Sequence, residues 1–194
     1  TLSSSASSIT ENSGSSITLT ATLTNPTSED VTVSLSTTGS ATEGTDYDTI
    51  TDITIASGDT TGIALFTPTD DSLYETSTDE TATVSISGVS GGSATENGTQ
   101  SVTLTIEENE SAPTVTLSTS ATSIDENSGS VLTLTATLTV ATTADVTVTI
   151  ATSGSATEGT DYTDGSGNID DITISAGSTT GTVSFTPSDD SGDP

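Results

Sequence analysis

The sequence has no lysine, arginine, histidine or cysteine among its 194 residues. No side chain can therefore pair with a carboxylate as a salt-bridge partner, and no disulfide can form. Catalysis loses the thiol, imidazole, amine and guanidinium groups on which most enzymes rely. We therefore expect a protein that is not an enzyme.

Positive charge is absent while negative charge is abundant: 28 residues are Asp or Glu, and the net charge is -28. Such a surface repels nucleic acid and anionic lipid. No stretch approaches the roughly 20 apolar residues that a membrane helix requires. We expect neither a nucleic-acid partner nor membrane insertion.

Apolar and aromatic residues are also scarce, at 28% and 3% of the chain. This composition alone would favour disorder. However, Thr and Ser supply 48 and 34 residues, and β-branched Thr suits the half-buried surface of a strand. The sequence therefore favours β-sheet with thin cores.

The same unit occurs twice in the sequence. Residues 40–47 return unchanged as 155–162, an offset of 115. Residues 52–55 and 171–174 match at an offset of 119, so a four-residue insertion near Gly165 separates the two patterns. A period of this length indicates a string of whole domains. We predict one domain over residues 1–112 (the first repeat) and a second over 113–194 (the second repeat).

Within the first repeat the apolar residues alternate with period two, as in strands that bury one face. Residues 17–23 and 31–35 are the clearest runs, and seven strands, A to G, are predicted in all. These strands favour an all-β fold of tandem immunoglobulin-like antiparallel sandwiches. The second repeat has no counterpart of strands F and G, so it is predicted to be incomplete. Either the chain is cut short, or a neighbouring copy supplies the missing strands.

The acids are distributed unevenly in this predicted sandwich. Connections between successive antiparallel strands alternate between its two ends, and sorting the acids in this way puts 23 of 28 at one end, the acidic end. In the first repeat the acids at this end are Glu11, Glu43, Asp46, Asp48, Asp52, Asp70, Asp71, Glu75, Asp79, Glu80, Glu107, Glu108 and Glu110. Two carboxylates 5 Å apart repel by about 3 kcal/mol at an effective dielectric near 20. Calcium, which takes about 6 to 8 oxygen ligands, suits such a cluster better than Mg²⁺ or Zn²⁺. The alternative is that the acids serve only solubility.

Three motifs in this order resemble those of Calx-beta repeats. They are residues 11–14 (Glu-Asn-Ser-Gly), residues 40–47 with their Glu-Gly-Thr-Asp-Tyr core, and Asp70-Asp71 followed by Glu75. The resemblance covers essentially the whole chain. It implies calcium-binding sandwich modules of the kind found in sodium/calcium exchangers and large bacterial surface proteins.

The resemblance also implies which residues hold Ca²⁺. In the first repeat the ligands carried over are Glu11, Asp46, Asp70, Asp71, Glu75, Glu107 and Glu108. Asp79 is added because it adjoins Thr78, which stands where the exchanger pattern has a further Glu. In the second repeat the ligands carried over are Glu126, Asp161, Asp189 and Asp190.

We expect a calcium-binding structural segment of a long extracellular adhesin, surface or matrix fibre. The exit from strand G leads through Glu107 directly to Pro113, so Ca²⁺ at this end would stiffen the joint between modules. The expected partners are calcium, neighbouring modules of the same chain and other copies in a fibre. Two alternatives are a regulatory calcium-sensing module and an acidic stalk adapted to solvation without specific calcium sites.

Overall fold

The computed structural model describes residues 1–75, 79–166 and 169–189. In chain order its strands are β1 (Leu2–Ser4), β2 (Ser8–Thr10), β3 (Ile17–Thr22), β4 (Val31–Gly39), β5 (Ile53–Ile55), β6 (Thr61–Phe66), β7 (Leu73–Tyr74), β8 (Glu80–Ser90), β9 (Ser101–Glu107), β10 (Val115–Thr119), β11 (Leu132–Leu138), β12 (Ala141–Thr142), β13 (Val146–Val148), β14 (Tyr162–Thr163), β15 (Ile172–Ile174) and β16 (Thr180–Pro187). Helical structure within these residues is limited to two 3-10 turns, Glu11–Ser13 and Glu126–Ser128. The described residues include no helix long and apolar enough to cross a membrane.

The chain divides into two compact units. The first unit consists of two sheets, with strand orders β1-β3-β6 and β2-β9-β8-β4-β5. Its core draws on both sheets: Leu19 and Phe66 come from the smaller one, and Val31, Ile53 and Leu104 from the larger, all with no measurable exposure. These residues occupy the inward positions of the period-two runs. The unit is a β-sandwich, as the sequence predicts.

Seven strands, A to G, were expected in the first repeat. The first of them, strand A before Glu11, is in fact two strands, β1 and β2. Strand β1 pairs antiparallel with β3, whereas β2 pairs parallel with β9 in the other sheet. The chain crosses between the sheets at residues 5–7, which are Ser-Ala-Ser and carry no large side chain that would bind them to either core. The first strand is thus shared between both layers.

The second unit contains a four-stranded sheet ordered β10-β11-β16-β14 and the pair β13-β15. Its buried cluster is smaller, with Ala136, Leu138, Ile172 and Ile174 at the centre. The described residues include no counterpart of β8 and β9 in this unit, so its face toward those positions is uncovered. Val115 and Leu117 on β10 are accordingly about half exposed, at 48% and 54%.

One short strand of the second unit comes from earlier in the sequence. Strand β7 pairs parallel with β12, with Leu73 opposite Ala141 and Tyr74 opposite Thr142. Sequence analysis did not predict β7 or β12, since two residues are too few to show alternation. The predicted boundary between residues 112 and 113 stays a prediction.

Candidate metal centre

The loop of residues 40–48 is built by local hydrogen bonds around Asp46. The Asp46 carboxylate accepts the Thr42 amide at 2.5 Å, and the Asp46 amide donates to the Thr42 carbonyl at 2.9 Å. Gly44 adopts φ +83, which L residues rarely occupy, and its amide donates to the Tyr47 carbonyl. The sequence Glu-Gly-Thr-Asp-Tyr therefore closes on itself, with Gly at the left-handed position.

Tyr47 holds this loop on the core. Its side chain is 1% exposed, and its ring stacks on Phe66 with centroids 4.7 Å apart. On either side of Tyr47, the Asp46 carbonyl accepts the Thr69 amide and the Asp48 amide donates to the Thr67 carbonyl. The loop is thus fixed beside the segment after β6, which leads to Asp70 and Asp71.

Two groups of three carboxylates have ligand atoms within 4.8 Å of one another. The Glu11 cluster contains Glu11, Glu108 and Glu110. The Asp46 cluster contains Asp46, Glu75 and Glu80. Glu11 is 8% exposed, and the other five are half-buried. Both clusters consist of residues that sequence analysis placed at the acidic end of the first repeat.

The strand register explains why residues distant in sequence meet in these clusters. Thr10 is opposite Glu107 in the parallel β2–β9 pair, so Glu11 and Glu108 leave the sheet side by side. Glu80 opens β8 opposite Ile106, one residue before β9 ends. Glu11, Glu80 and Glu108 therefore lie at the same end of the larger sheet, where β2 and β9 end and β8 begins.

The predicted ligands separate into those that join a cluster and those that do not. Glu11, Asp46, Glu75 and Glu108 join one. Asp70, Asp71 and Asp79 are exposed and Glu107 is half-buried, and none of them belongs to a three-carboxylate group among the described residues. Glu80 and Glu110 were not assigned as ligands, although the pairing of β8 with β9 would have identified Glu80.

In the second repeat the predicted ligands do not form such a group within the part of the chain that is described. Glu126 and Asp189 are exposed and Asp161 is half-buried. Asp190 lies outside the described residues. Asp161 repeats the bond of Asp46, accepting the Thr157 amide at 2.5 Å, and Tyr162 meets Phe185 at 5.5 Å. The loop is therefore the same, but among the described residues Asp161 is not part of a group of three carboxylates.

Several other acids are engaged by backbone amides. Asp52 accepts the Leu35 amide at 3.0 Å and the Ser34 hydroxyl at 2.9 Å, where the register of β4 against β8 shifts. Asp171, the counterpart of Asp52, accepts the Ile150 amide at 3.0 Å. Asp30 and Asp145 each accept one amide, from Ser57 and Ala176. Each of these acids supports its local backbone, so the excess of acids does not consist of ligands alone.

The inserted loop of the second repeat contains the clearest electrostatic perturbation. Asp164 accepts the Ser166 hydroxyl at 2.6 Å and the amides of Ser166 and Asp170, both at 2.8 Å. These bonds, the Ser166 hydroxyl first, hold the pKa of Asp164 below its ordinary value of 3.8. Donors that favour the carboxylate over the neutral acid act in this direction.

Both clusters offer only carboxylate oxygens, which fit a hard divalent cation. Calcium accepts such oxygens at about 2.3–2.6 Å in flexible geometry and completes its shell with carbonyls and water. Zinc prefers nitrogen and sulfur ligands, and the sequence contains no His or Cys. The donor set therefore fits Ca²⁺ first and Mg²⁺ second.

A comparison with protein families gives two matches to the same description, the Calx-beta domain, over residues 1–110 and 107–191. No curated protein matches the sequence. Among solved structures, the chain is similar to CBD12 from CALX1.2, at 17% identity and TM-score 0.43 over 95% of this chain and 72% of that one. For the calcium binding domain CBD12 of CALX1.1 the values are 17%, 0.44, 94% and 73%.

A two-domain protein of unknown function from Bacteroides fragilis is also similar, at 11% identity and TM-score 0.36, covering 89% of this chain and 74% of that one. The family model matches each of the two repeats, and its first match spans every residue of the two clusters.

Proposed function

Since the chain belongs to the Calx-beta family, whose domains are calcium-binding modules, we propose that it binds Ca²⁺ at the Glu11 and Asp46 clusters. The observation that carries this proposal is the approach of three carboxylates within 4.8 Å in each cluster, in a chain without a basic side chain. At 5 Å each pair of charges repels by about 3 kcal/mol at an effective dielectric near 20. A bound cation would convert this repulsion into attraction.

In this proposal the chain's own residues prepare the site. The Thr42 amide orients the Asp46 carboxylate, Tyr47 anchors the loop on Phe66, and the ends of β2 and β9 place Glu11 beside Glu108. The ion would supply positive charge and a bridge between segments. The role is structural, and we assign no catalysis to either cluster.

We further propose that the modules form part of a long extracellular adhesin, surface or matrix fibre, in which Ca²⁺ stiffens the joints between modules. Tandem repetition supports this role, as does the direct continuation from Glu108 and Glu110 into the second repeat. Extracellular modules bind calcium at about 0.1–1 mM, a range that the outside of a cell supplies. The absence of Lys and Arg also removes the cleavage sites of trypsin-like proteases.

Calorimetric titration of the full chain with calcium tests the proposal. We expect saturable binding, lost in part in Glu11→Gln and in Glu80→Gln, each of which removes one charge from one cluster. Glu126→Gln is the matched control, because Glu126 is the repeat counterpart of Glu11 but joins no three-carboxylate group among the residues that the structure describes. Equal heats in all four proteins would support the alternative that the acids serve solubility alone.

The joint is tested separately by small-angle X-ray scattering. We expect a narrower distribution of interatomic distances in millimolar calcium than in EGTA, and no such narrowing in the Glu11→Gln variant. Calcium binding without any change in scattering would retain the metal sites and reject the stiffening role.

A further inference from the structure

The outward positions of the strands in the first unit hold mostly Thr and Ser, as along β3 and β9. Strand β6 is the exception, because its outward positions hold Ile63 and Leu65, which are 61% and 52% exposed. Among the described residues of this unit they are the only large hydrophobic side chains that are exposed. Both lie on the same face of one strand, two residues apart, so they form a single apolar patch.

The second unit has the same strand with different side chains. Strand β16 corresponds to β6 at an offset of 119, and its outward positions hold Thr182 and Ser184, both exposed. The backbone is alike in the two strands: a Cβ on Gly62 or on its counterpart Gly181 would collide with a carbonyl of the preceding strand, β5 or β15. The apolar pair is therefore particular to the first repeat and is not required by the strand.

Strand β6 is also the edge of its sheet, which has the order β1-β3-β6. Across its pair with β3, the Leu23 amide donates to the Thr60 carbonyl at 2.8 Å. Hydrogen-bonded residues alternate along an antiparallel ladder, and in this register Ile63 and Leu65 fall on the alternate positions. Their amides and carbonyls therefore point away from β3, toward the outer edge of β6.

The neighbours of β6 leave this edge open at residues 61–65. The edge is occupied only further along the chain, where the Asp48 amide donates to the Thr67 carbonyl at 2.9 Å. Strand β5 packs on the inward side of β6, at Gly62. No residue among those described bonds to the outward backbone groups of Ile63 and Leu65. Unpaired backbone groups and exposed apolar side chains thus coincide in one segment.

The charge of the chain indicates what this edge can bind. Edge strands commonly carry charged residues or proline, which discourage pairing with another chain, but residues 60–67 contain neither. A basic partner would be attracted to the acidic end instead. Two copies of a chain with net charge -28 meet the least repulsion through a surface without acids. A two-fold axis across a strand edge also makes that edge complementary to itself, so the occupant that fits is a second copy.

We propose that the first unit self-associates through β6, in an antiparallel pair between two copies of the chain. A two-fold axis at Ile63 places Ile63 opposite its own copy and Thr61 opposite Leu65. The outward amides and carbonyls of these three residues then pair across the edge, as in other cases of strand addition, and the apolar side chains of both copies adjoin. The proposal depends neither on calcium nor on the proposed fibre role.

Acids flank the paired segment in this register. Asp59 lies beyond one end of it, and Asp48, bound beside Thr67, lies beyond the other, so each Asp59 faces the Asp48 of the other copy. Salt screens repulsion between such exposed charges. We expect Asp59→Asn to tighten the association at low salt and to have little effect at high salt. An Asp59→Asn variant that associates no more tightly at low salt would contradict this register.

Sedimentation equilibrium of the full chain in EGTA tests the proposal. We expect a monomer–dimer equilibrium whose dissociation constant rises roughly tenfold or more in the double variant Ile63→Thr, Leu65→Ser. The second repeat has these residues in the same strand, so the variant should keep its fold, which its amide spectrum reports. The matched control, Thr182→Ala with Ser184→Ala, should leave the dissociation constant within about twofold.

Two further variants separate pairing at this edge from other routes of association. Leu65→Pro removes an amide that points to the edge but no bond to β3, so it should abolish the dimer and preserve the sheet. Leu117→Thr changes the uncovered face of the second unit and should have no effect. The proposal is overturned if the chain stays monomeric at millimolar concentration, if the double variant associates as tightly as the original chain, or if Leu117→Thr alone abolishes association.

Discussion

Residues 40–47 and 155–162 have the same sequence and share the hydrogen bonds that close the loop, yet they differ in their surroundings. In the first repeat Asp46 meets Glu75 and Glu80. In the second, Asp161 has no such group around it in the described residues, because the strand that would carry the counterpart of Glu80 has no equivalent there. The loop motif therefore supplies one oriented carboxylate, and strands distant in sequence supply the others.

This difference gives the second repeat the role of an internal control. A property due to the loop alone should appear in both repeats, whereas a property due to the assembled cluster should appear only in the first.

Replacing the loop anchor should be most damaging in the first repeat. Tyr47→Ala is expected to lower the free energy of unfolding of the first unit by about 3–5 kcal/mol, the usual cost of deleting a buried aromatic side chain. Tyr162→Ala should cost the second unit less, because Tyr162 is only half-buried and its ring is farther from Phe185. Hydrogen exchange read separately in each unit measures both, and equal losses would contradict the packing described here.

Gly39 and Gly154 are counterparts in the two repeats, but only Gly39 packs against the backbone of β8. Both have positive φ, +144 and +138, but a Cβ on Gly39 would lie 2.0 Å from the Thr81 carbonyl oxygen, whereas one on Gly154 would meet nothing within 4 Å. Gly39→Ala should cost about 3 kcal/mol or more, from backbone strain and clash together. Gly154→Ala should show the strain alone. Denaturant unfolding of both variants checks this, and an equally large loss in Gly154→Ala would contradict it.

Asp46→Asn and Asp161→Asn separate the loop from the metal site. Without calcium, each should cost about 1 kcal/mol, because each weakens the same charge-assisted bond to a threonine amide. With calcium at roughly 100 times its Kd, a bound ion stabilises the native state by about 2.7 kcal/mol. Asp46→Asn should lose most of this gain and Asp161→Asn none, as thermal melts with and without EGTA would show. Loss of the gain in both variants would place calcium at the loop itself.

The smallest expected effect on stability is that of Asp164, and it is confined to the inserted loop. Its pKa is lowered in the folded chain, so its contribution to stability is present above the unfolded value near 3.8 and disappears as pH falls through the folded pKa. NMR titration should find a lower pKa for Asp164 than in a Ser166→Ala variant, which removes the hydroxyl donor. An unchanged pKa in that variant would contradict the assigned cause.

The confirmed part of the sequence analysis is the part that depends on short-range patterns. Alternation of apolar residues identified β3, β4 and β9, because one face of each strand is buried and a one-residue shift would expose it. The repeated motifs identified the Calx-beta family. Neither inference required knowledge of which strands are adjacent.

The details that were missed depend on strand pairing. Glu80 was assigned to the acidic end but not to a site, because its approach to Asp46 follows from the position of β8. The split of the first strand and the pairing of β7 with β12 involve two or three residues each, too few for a periodic signal. Asp52 is an acid of the same end that has a backbone role instead. Its carboxylate accepts the Leu35 amide where the register of β4 shifts, and composition alone cannot distinguish such an acid from a metal ligand.

Anomalous diffraction from crystals of the full chain grown in millimolar calcium would show whether the two clusters bind the ion. We expect calcium peaks about 2.3–2.6 Å from carboxylate oxygens in both the Glu11 cluster and the Asp46 cluster, and none around Asp161. Ordered carboxylates in both clusters without a peak would contradict this expectation.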